Sequence, residues 1–113
     1  MRKIRYLSAM AAVLAALATP AVAAPQYIQC AYARTPVEKT ICGTPEILAL
    51  NLKMTDLYFK IYDHSSREER QLVTASQSAW IGRLYGCGYD AGCIIRMHGE
   101  RIDFLAGVLA DGY

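Results

Sequence analysis

The sequence holds few of the residues from which chemistry is usually built. Histidine occurs twice in 113 residues, at positions 64 and 98, and no hydrolase motif accompanies either, so no catalytic triad can be assembled around them. The cysteines, Cys30, Cys42, Cys87 and Cys93, are never two to four residues apart, which argues against the paired ligands of a zinc site and against a Cys-x-x-Cys redox centre. Strands are missing as well: no segment alternates apolar and polar residues for long enough. Nor does any apolar run reach the roughly 20 residues that a membrane-spanning helix needs. Charge is nearly balanced, 12 Lys+Arg against 10 Asp+Glu. No internal repeat is visible.

What is present begins with Met1-Arg2-Lys3-Ile4-Arg5, followed by an uncharged stretch rich in Ala and Leu from Tyr6 to Ala18. That is the order of a signal peptide, and Ala21-Val22-Ala23 before Ala24 is a small-x-small cleavage pattern, so residues 1–23 are expected to be a leader cut after Ala23. An uncleaved anchor is disfavoured because the run is short and Pro20 interrupts it. Lipid attachment is disfavoured because Cys30 does not follow the cut. Residues 24–113 then form the expected mature domain, with no membrane insertion. Arg2, Lys3 and Arg5 leave with the leader, so nine cations remain against ten anions. Such a balance gives no footing for nucleic-acid binding.

A domain of that size supports one modest core and benefits from staples, and an even number of cysteines in an exported chain is read as disulfides. Of three possible pairings, Cys30 with Cys42 and Cys87 with Cys93 is favoured, because each pair brackets one short segment. Helix punctuation is legible. Thr35-Pro36-Val37-Glu38 and Ser66-Arg67-Glu68-Glu69 are capping boxes, Thr44-Pro45 repeats the cap-then-Pro signal, and Asp90 can cap a last helix. Helices are expected over Pro36–Cys42, Pro45–Asp63, from Ser66 to Gly86 or Gly88, and from Ala91 to about Leu109. The inward faces would be Ile47, Leu50, Met54, Leu57, Tyr58, Ile61 and Tyr62 in the second, and Leu72, Ser76, Ala79, Trp80 and Leu84 in the third. In the fourth they would be Ile94, Ile95, His98, Ile102, Leu105 and Leu109, with Gly99 marking a close helix contact. The expected fold is all-α, a small disulfide-stapled antiparallel bundle of three main helices plus a short N-terminal one.

Candidate catalytic groups have structural explanations. His64 falls at a helix C-terminus, His98 on an inward face, and Glu38, Glu46 and Glu69 in first helical turns. No enzyme activity, cofactor or metal is therefore expected. Among the tyrosines, Tyr85 and Tyr89 flank Cys87 in a glycine-rich connection, and tyrosine is common in recognition surfaces.

The stretch Cys30-x-x-Ala33-x-Thr35-Pro36-x-Glu38-x-x-Ile41-Cys42-x-x-Pro45-Glu46, with Leu50, Leu52, Met54 and Tyr58, resembles the N-terminal domain of the LprI-type lysozyme inhibitors. Gln77, Trp80, Cys87, Cys93, Arg101, Ile102 and Leu105 extend the likeness over nearly all of residues 24–113. Asn51, Leu84-Tyr85 and His98 stand where that family more often has Asp, Arg-Asp and Tyr. The resemblance implies an exported protein, periplasmic or secreted, that binds a lysozyme-like muramidase. Since such an enzyme presents two carboxylates in a cleft, a donor-bearing plug is needed, and the loop between Cys87 and Cys93 fits, with Tyr89 as main contact and Arg67 as secondary. The competing expectation is a structural or envelope-stress accessory domain that binds no lysozyme.

Overall fold

Four helices joined by short connections make up the computed structural model, which describes residues 28–113. The leader and its cleavage point after Ala23 lie outside the described residues. After a 3-10 turn at Cys30–Tyr32 come α1 (Pro36–Gly43), α2 (Pro45–Asp63), α3 (Arg67–Tyr85) and α4 (Ala91–Asp111), with no strand among the described residues.

Each helix starts where the sequence punctuates it. In the first box the Glu38 amide donates to Thr35 Oγ1 at 3.1 Å, and the Thr35 amide donates to Glu38 Oε1 at 3.0 Å. Ser66 and Glu69 repeat the exchange at the head of α3, at 3.2 and 2.8 Å. Thr44 departs from expectation: its side chain makes no cap bond. It is the whole joint between α1 and α2 and has ψ at 102°, whereas Thr35, also followed by a proline, and Ser66 sit at 158° and 170°. The Ile47 amide, which a cap hydroxyl would take, instead donates to the Thr44 carbonyl at 3.0 Å. Asp90, at ψ 98°, caps α4 with its carboxylate, which accepts from the Cys93 amide.

The core takes Val37 and Ile41 from α1, Ile47, Met54, Tyr58 and Ile61 from α2, Val73, Trp80 and Leu84 from α3, and Ile94, Ile102 and Leu105 from α4. Each such aliphatic side chain contributes roughly 1.5–3 kcal/mol by leaving water. The most extensive helix pairing is α2 on α4, with α1 laid against α2. Both disulfides are local: Cys30 bonds Cys42, tying the 3-10 turn to the end of α1, and Cys87 bonds Cys93 across the α3–α4 connection. With separations of 12 and 6 residues, loop-closure entropy gives them about 3 and a little over 2 kcal/mol respectively.

Three expectations about faces fail. In α3 the buried residues are Val73, Gln77, Trp80 and Leu84, while Leu72 is 55 % exposed. Trp80 and Leu84 face inward as expected, but in the first half of the helix the inward positions are Val73 and the polar Gln77 in place of Leu72 and Ser76. In α4, Ile95 and Leu109 are exposed and Arg101 is buried instead. Gly99 marks no close contact, since an added Cβ would meet nothing within 4 Å.

Candidate functional site

The α3–α4 connection is a ring closed by the Cys87–Cys93 bond. Inside it the Gly88 amide donates to Tyr85 O at 3.3 Å and the Asp90 amide to Cys87 O at 3.0 Å. Gly88 has φ of +58°, the left-handed region in which a Cβ is disfavoured, so glycine is required to turn the chain here. Tyr89 is thereby thrown outward, 68 % exposed, next to Tyr85 at 47 %. Of the ring's amides, those of Cys87, Gly88, Asp90 and Cys93 all have acceptors. The tip therefore presents tyrosine side chains more than free backbone donors.

Arg67 is also exposed, but it opens α3 while Tyr89 follows its end. At about 1.5 Å per residue, a helix of 19 residues sets the two some 27 Å apart along the axis. The structure does not bring them into one site. Arg67 instead borders a shallow groove with Tyr62 and Arg70, where Arg70 Nε donates to Tyr62 O at 2.9 Å and its guanidinium lies 4.8 Å from the Tyr62 ring centre.

Sequence reasoning placed His98 inward, as the structure does, but missed the polar residues buried around it, Asn51, Gln77 and Arg101. His98 is fully buried; its Nδ1–H donates to Ile94 O at 2.8 Å, which leaves Nε2 as the acceptor for Asn51 Nδ2 at 3.1 Å. Trp80 meets the imidazole edge-on at 5.1 Å, and its indole N–H donates to Met97 O. Burial, more than the opposing Ile94 bond, pushes the His98 pKa down and keeps the ring neutral. Nearby, Arg101 is only 5 % exposed: Nε donates to Gln77 Oε1 and Nη1 to Ser76 Oγ, both at 2.9 Å, and the guanidinium lies 4.9 Å from the Phe104 ring centre. Gln77 in turn donates from Nε2 to Met54 Sδ. Two atoms of this interior, Asn51 Oδ1 and Arg101 Nη2, have no partner. For Asn51, Gln77 and Arg101 the only available signal is helical spacing, by which such polar side chains, unlike His98, fall to the surface.

A cavity of about 330 Å³ opens beside these residues, with Asn51, Met54 and Gln77 among its buried walls and Tyr32 and Tyr85 at its exposed edge. Among the described residues no group of three His, Cys, Asp or Glu side chains is arranged to hold a metal, and no helix is long and apolar enough to cross a membrane. His64 donates from Nδ1 to Lys60 O at 2.8 Å and caps the end of α2. Glu38 and Glu69 serve their capping boxes, whose backbone amide bonds first and hydroxyl bonds second lower both carboxyl pKa values. The two disulfides fit an oxidising compartment. No family model matches the chain, and no curated protein or solved structure matches it.

Proposed function

We propose that the chain is an exported binding protein, periplasmic or secreted, that blocks lysozyme-like muramidases by protein–protein contact. One observation carries the reading: the disulfide-closed ring between Cys87 and Cys93 presents Tyr89 outward at 68 % exposure. A ring already fixed loses little conformational entropy on binding, and a tyrosine supplies apolar area with a hydroxyl donor at its tip. In a retaining muramidase the two cleft carboxylates accept hydrogen bonds, so a carboxylate-poor tip ending in a donor suits that cleft. The resemblance of the Cys30–Cys42 stretch and of the later core positions to the LprI-type inhibitors points to the same partner class.

Arg67, at the far end of α3, belongs to a separate surface, so the cleft contact rests on Tyr89. An antiparallel bundle serves the plug well, because it puts a short closed connection at one end of a stapled scaffold. Support for that topology comes from bonds whose numbers rise on one helix and fall on the next: Met54 with Gln77 and Tyr58 with Thr74, then Trp80 with Met97 and Gln77 with Arg101.

The test is the clearing of a cell-wall suspension by lysozyme in the presence of the processed protein. Slower clearing at micromolar dose supports inhibition. Unchanged clearing across muramidase classes favours the accessory-domain reading.

A further inference from the structure

The surface groove at the start of α3 is a second candidate binding site, at the opposite end of that helix from the Tyr89 ring. Positions 67, 70, 71 and 74 are successive members of one helical face, so neighbouring side chains on it start within about 5–6 Å of each other. That face meets the end of α2 in a groove of about 760 Å³, lined by Arg67, Arg70, Gln71 and Thr74 on one side and by Tyr62 on the other. Two hydroxyls there are engaged within the protein, Ser65 with Ile61 O and Thr74 with the Tyr58 hydroxyl. The arginines keep donors for a ligand.

Arg70 is fixed in place before anything binds. Its Nε–H donates to Tyr62 O at 2.9 Å, its guanidinium lies 4.8 Å from the Tyr62 ring centre, and Tyr62 in turn stacks on the buried Tyr58 at 6.0 Å. The side chain is thus tethered to the core through one aromatic ring, while its two Nη groups remain to donate. Less conformational entropy is then lost on binding. Arg67, about one turn away, is exposed, and its side chain has no partner among the described residues. No carboxylate among the described residues lines the groove: Glu69 is held by the Ser66 amide at 2.8 Å and borders a different pocket, beside His64.

Two guanidiniums without a counter-charge favour a ligand of matching charge with several acceptor oxygens. A phosphate monoester carries between about −1.5 and −2 on three such oxygens, and guanidinium forks bind it in bidentate fashion, whereas one carboxylate matches only half of that charge. We propose that this groove binds a phosphate monoester, with Arg70 as the preset fork and Arg67 as the second cation. Two sources present that chemistry, a free phosphate ester and the headgroup of an anionic lipid. The groove lies roughly 27 Å along α3 from the ring, so both surfaces can be occupied at once.

Calorimetric titration of the folded, processed protein with glycerol 1-phosphate, glycerol and acetate at low salt tests the assignment. Glycerol 1-phosphate is expected to bind with a Kd of order 1 mM, acetate at least fivefold more weakly and glycerol not measurably. Arg67→Gln and Arg70→Gln should each weaken the ester about fivefold with Tm nearly unchanged, because both side chains are exposed. Arg83→Gln, farther along α3, removes the same charge outside the groove and should leave the Kd unaltered. Sedimentation with phosphatidylcholine vesicles distinguishes the sources: retention that requires added phosphatidic acid and falls in Arg70→Gln marks a lipid headgroup, and ester binding without such retention marks a free ester. No ester binding by the folded wild type, acetate bound as tightly, an unaltered Kd in Arg70→Gln, or an equal loss in Arg83→Gln each overturns the proposal. None of these measurements involves lysozyme, so their outcome is independent of the muramidase reading.

Discussion

Mild acid is expected to destabilise the protein through one residue, His98. The imidazole is 0 % exposed, and burial holds its pKa below the ordinary histidine value. As a neutral ring it donates once, to Ile94 O, and accepts once, from Asn51 Nδ2. Protonation places a second N–H against the Asn51 amide donors, so the buried bond is lost or the amide must turn over. The unfolded chain titrates near 6.5 and the folded chain lower, so below about 6.5 the unfolded state binds more protons. Stability is therefore fully present above that value and is lost as pH falls toward the folded-state pKa, at up to about 1.4 kcal/mol per pH unit. The capping carboxylates do not confuse the window: Glu38 and Glu69 are held below their ordinary value of 4.5, so their contribution is lost only in stronger acid. Urea unfolding of the wild type and of His98→Gln between about pH 7.5 and pH 5.5 measures the effect. Glutamine can still bond Asn51 but does not titrate, and His64 is common to both proteins. The wild type should lose about 1 kcal/mol more than the variant over that range. Parallel pH profiles would refute the placement of a depressed histidine in this core.

Thr35→Ala and Ser66→Ala should each lower stability by about 1 kcal/mol, read as a fall in Tm of roughly 4–8 °C for a domain of this size. An unchanged Tm in either would mean that its cap contributes nothing. Val73→Ala should cost about 2 kcal/mol, whereas Leu72→Ala should cost about 0.5 kcal/mol, because the first side chain is fully buried and the second is more than half exposed. The opposite ranking in chemical denaturation would show that α3 packs through the face its periodicity first suggests.

Boundaries and staples were legible because they depend on local chemistry. Thr35, Ser66 and Asp90 cap whichever helix they precede, and close cysteine pairs need no tertiary information. Which way α3 faces was not legible, since Val73 and Leu72 are adjacent and apolar and the choice between them is made by Gln77. That residue is buried because Arg101 and Met54 occupy both ends of its amide, a fact held in two other helices. The same holds for Asn51, which becomes a core residue only when His98, 47 positions later, arrives at its amide. The ring tip could be proposed from Cys87, Gly88, Tyr89 and Cys93 alone. The separation of Arg67 from it follows only once α3 is seen as unbroken from Arg67 to Tyr85.

Under the proposed function, Tyr89 on its closed ring engages a muramidase cleft. Calorimetric titration of a lysozyme-like muramidase with wild type and with Tyr89→Ala, each accompanied by a melting curve, tests it most directly. Saturable binding by the wild type, weakened at least about tenfold in a variant with unaltered Tm, is the predicted result, because truncating an exposed tyrosine anchor removes binding area without touching the core. No binding by the folded wild type, or equal affinity in Tyr89→Ala, would contradict it.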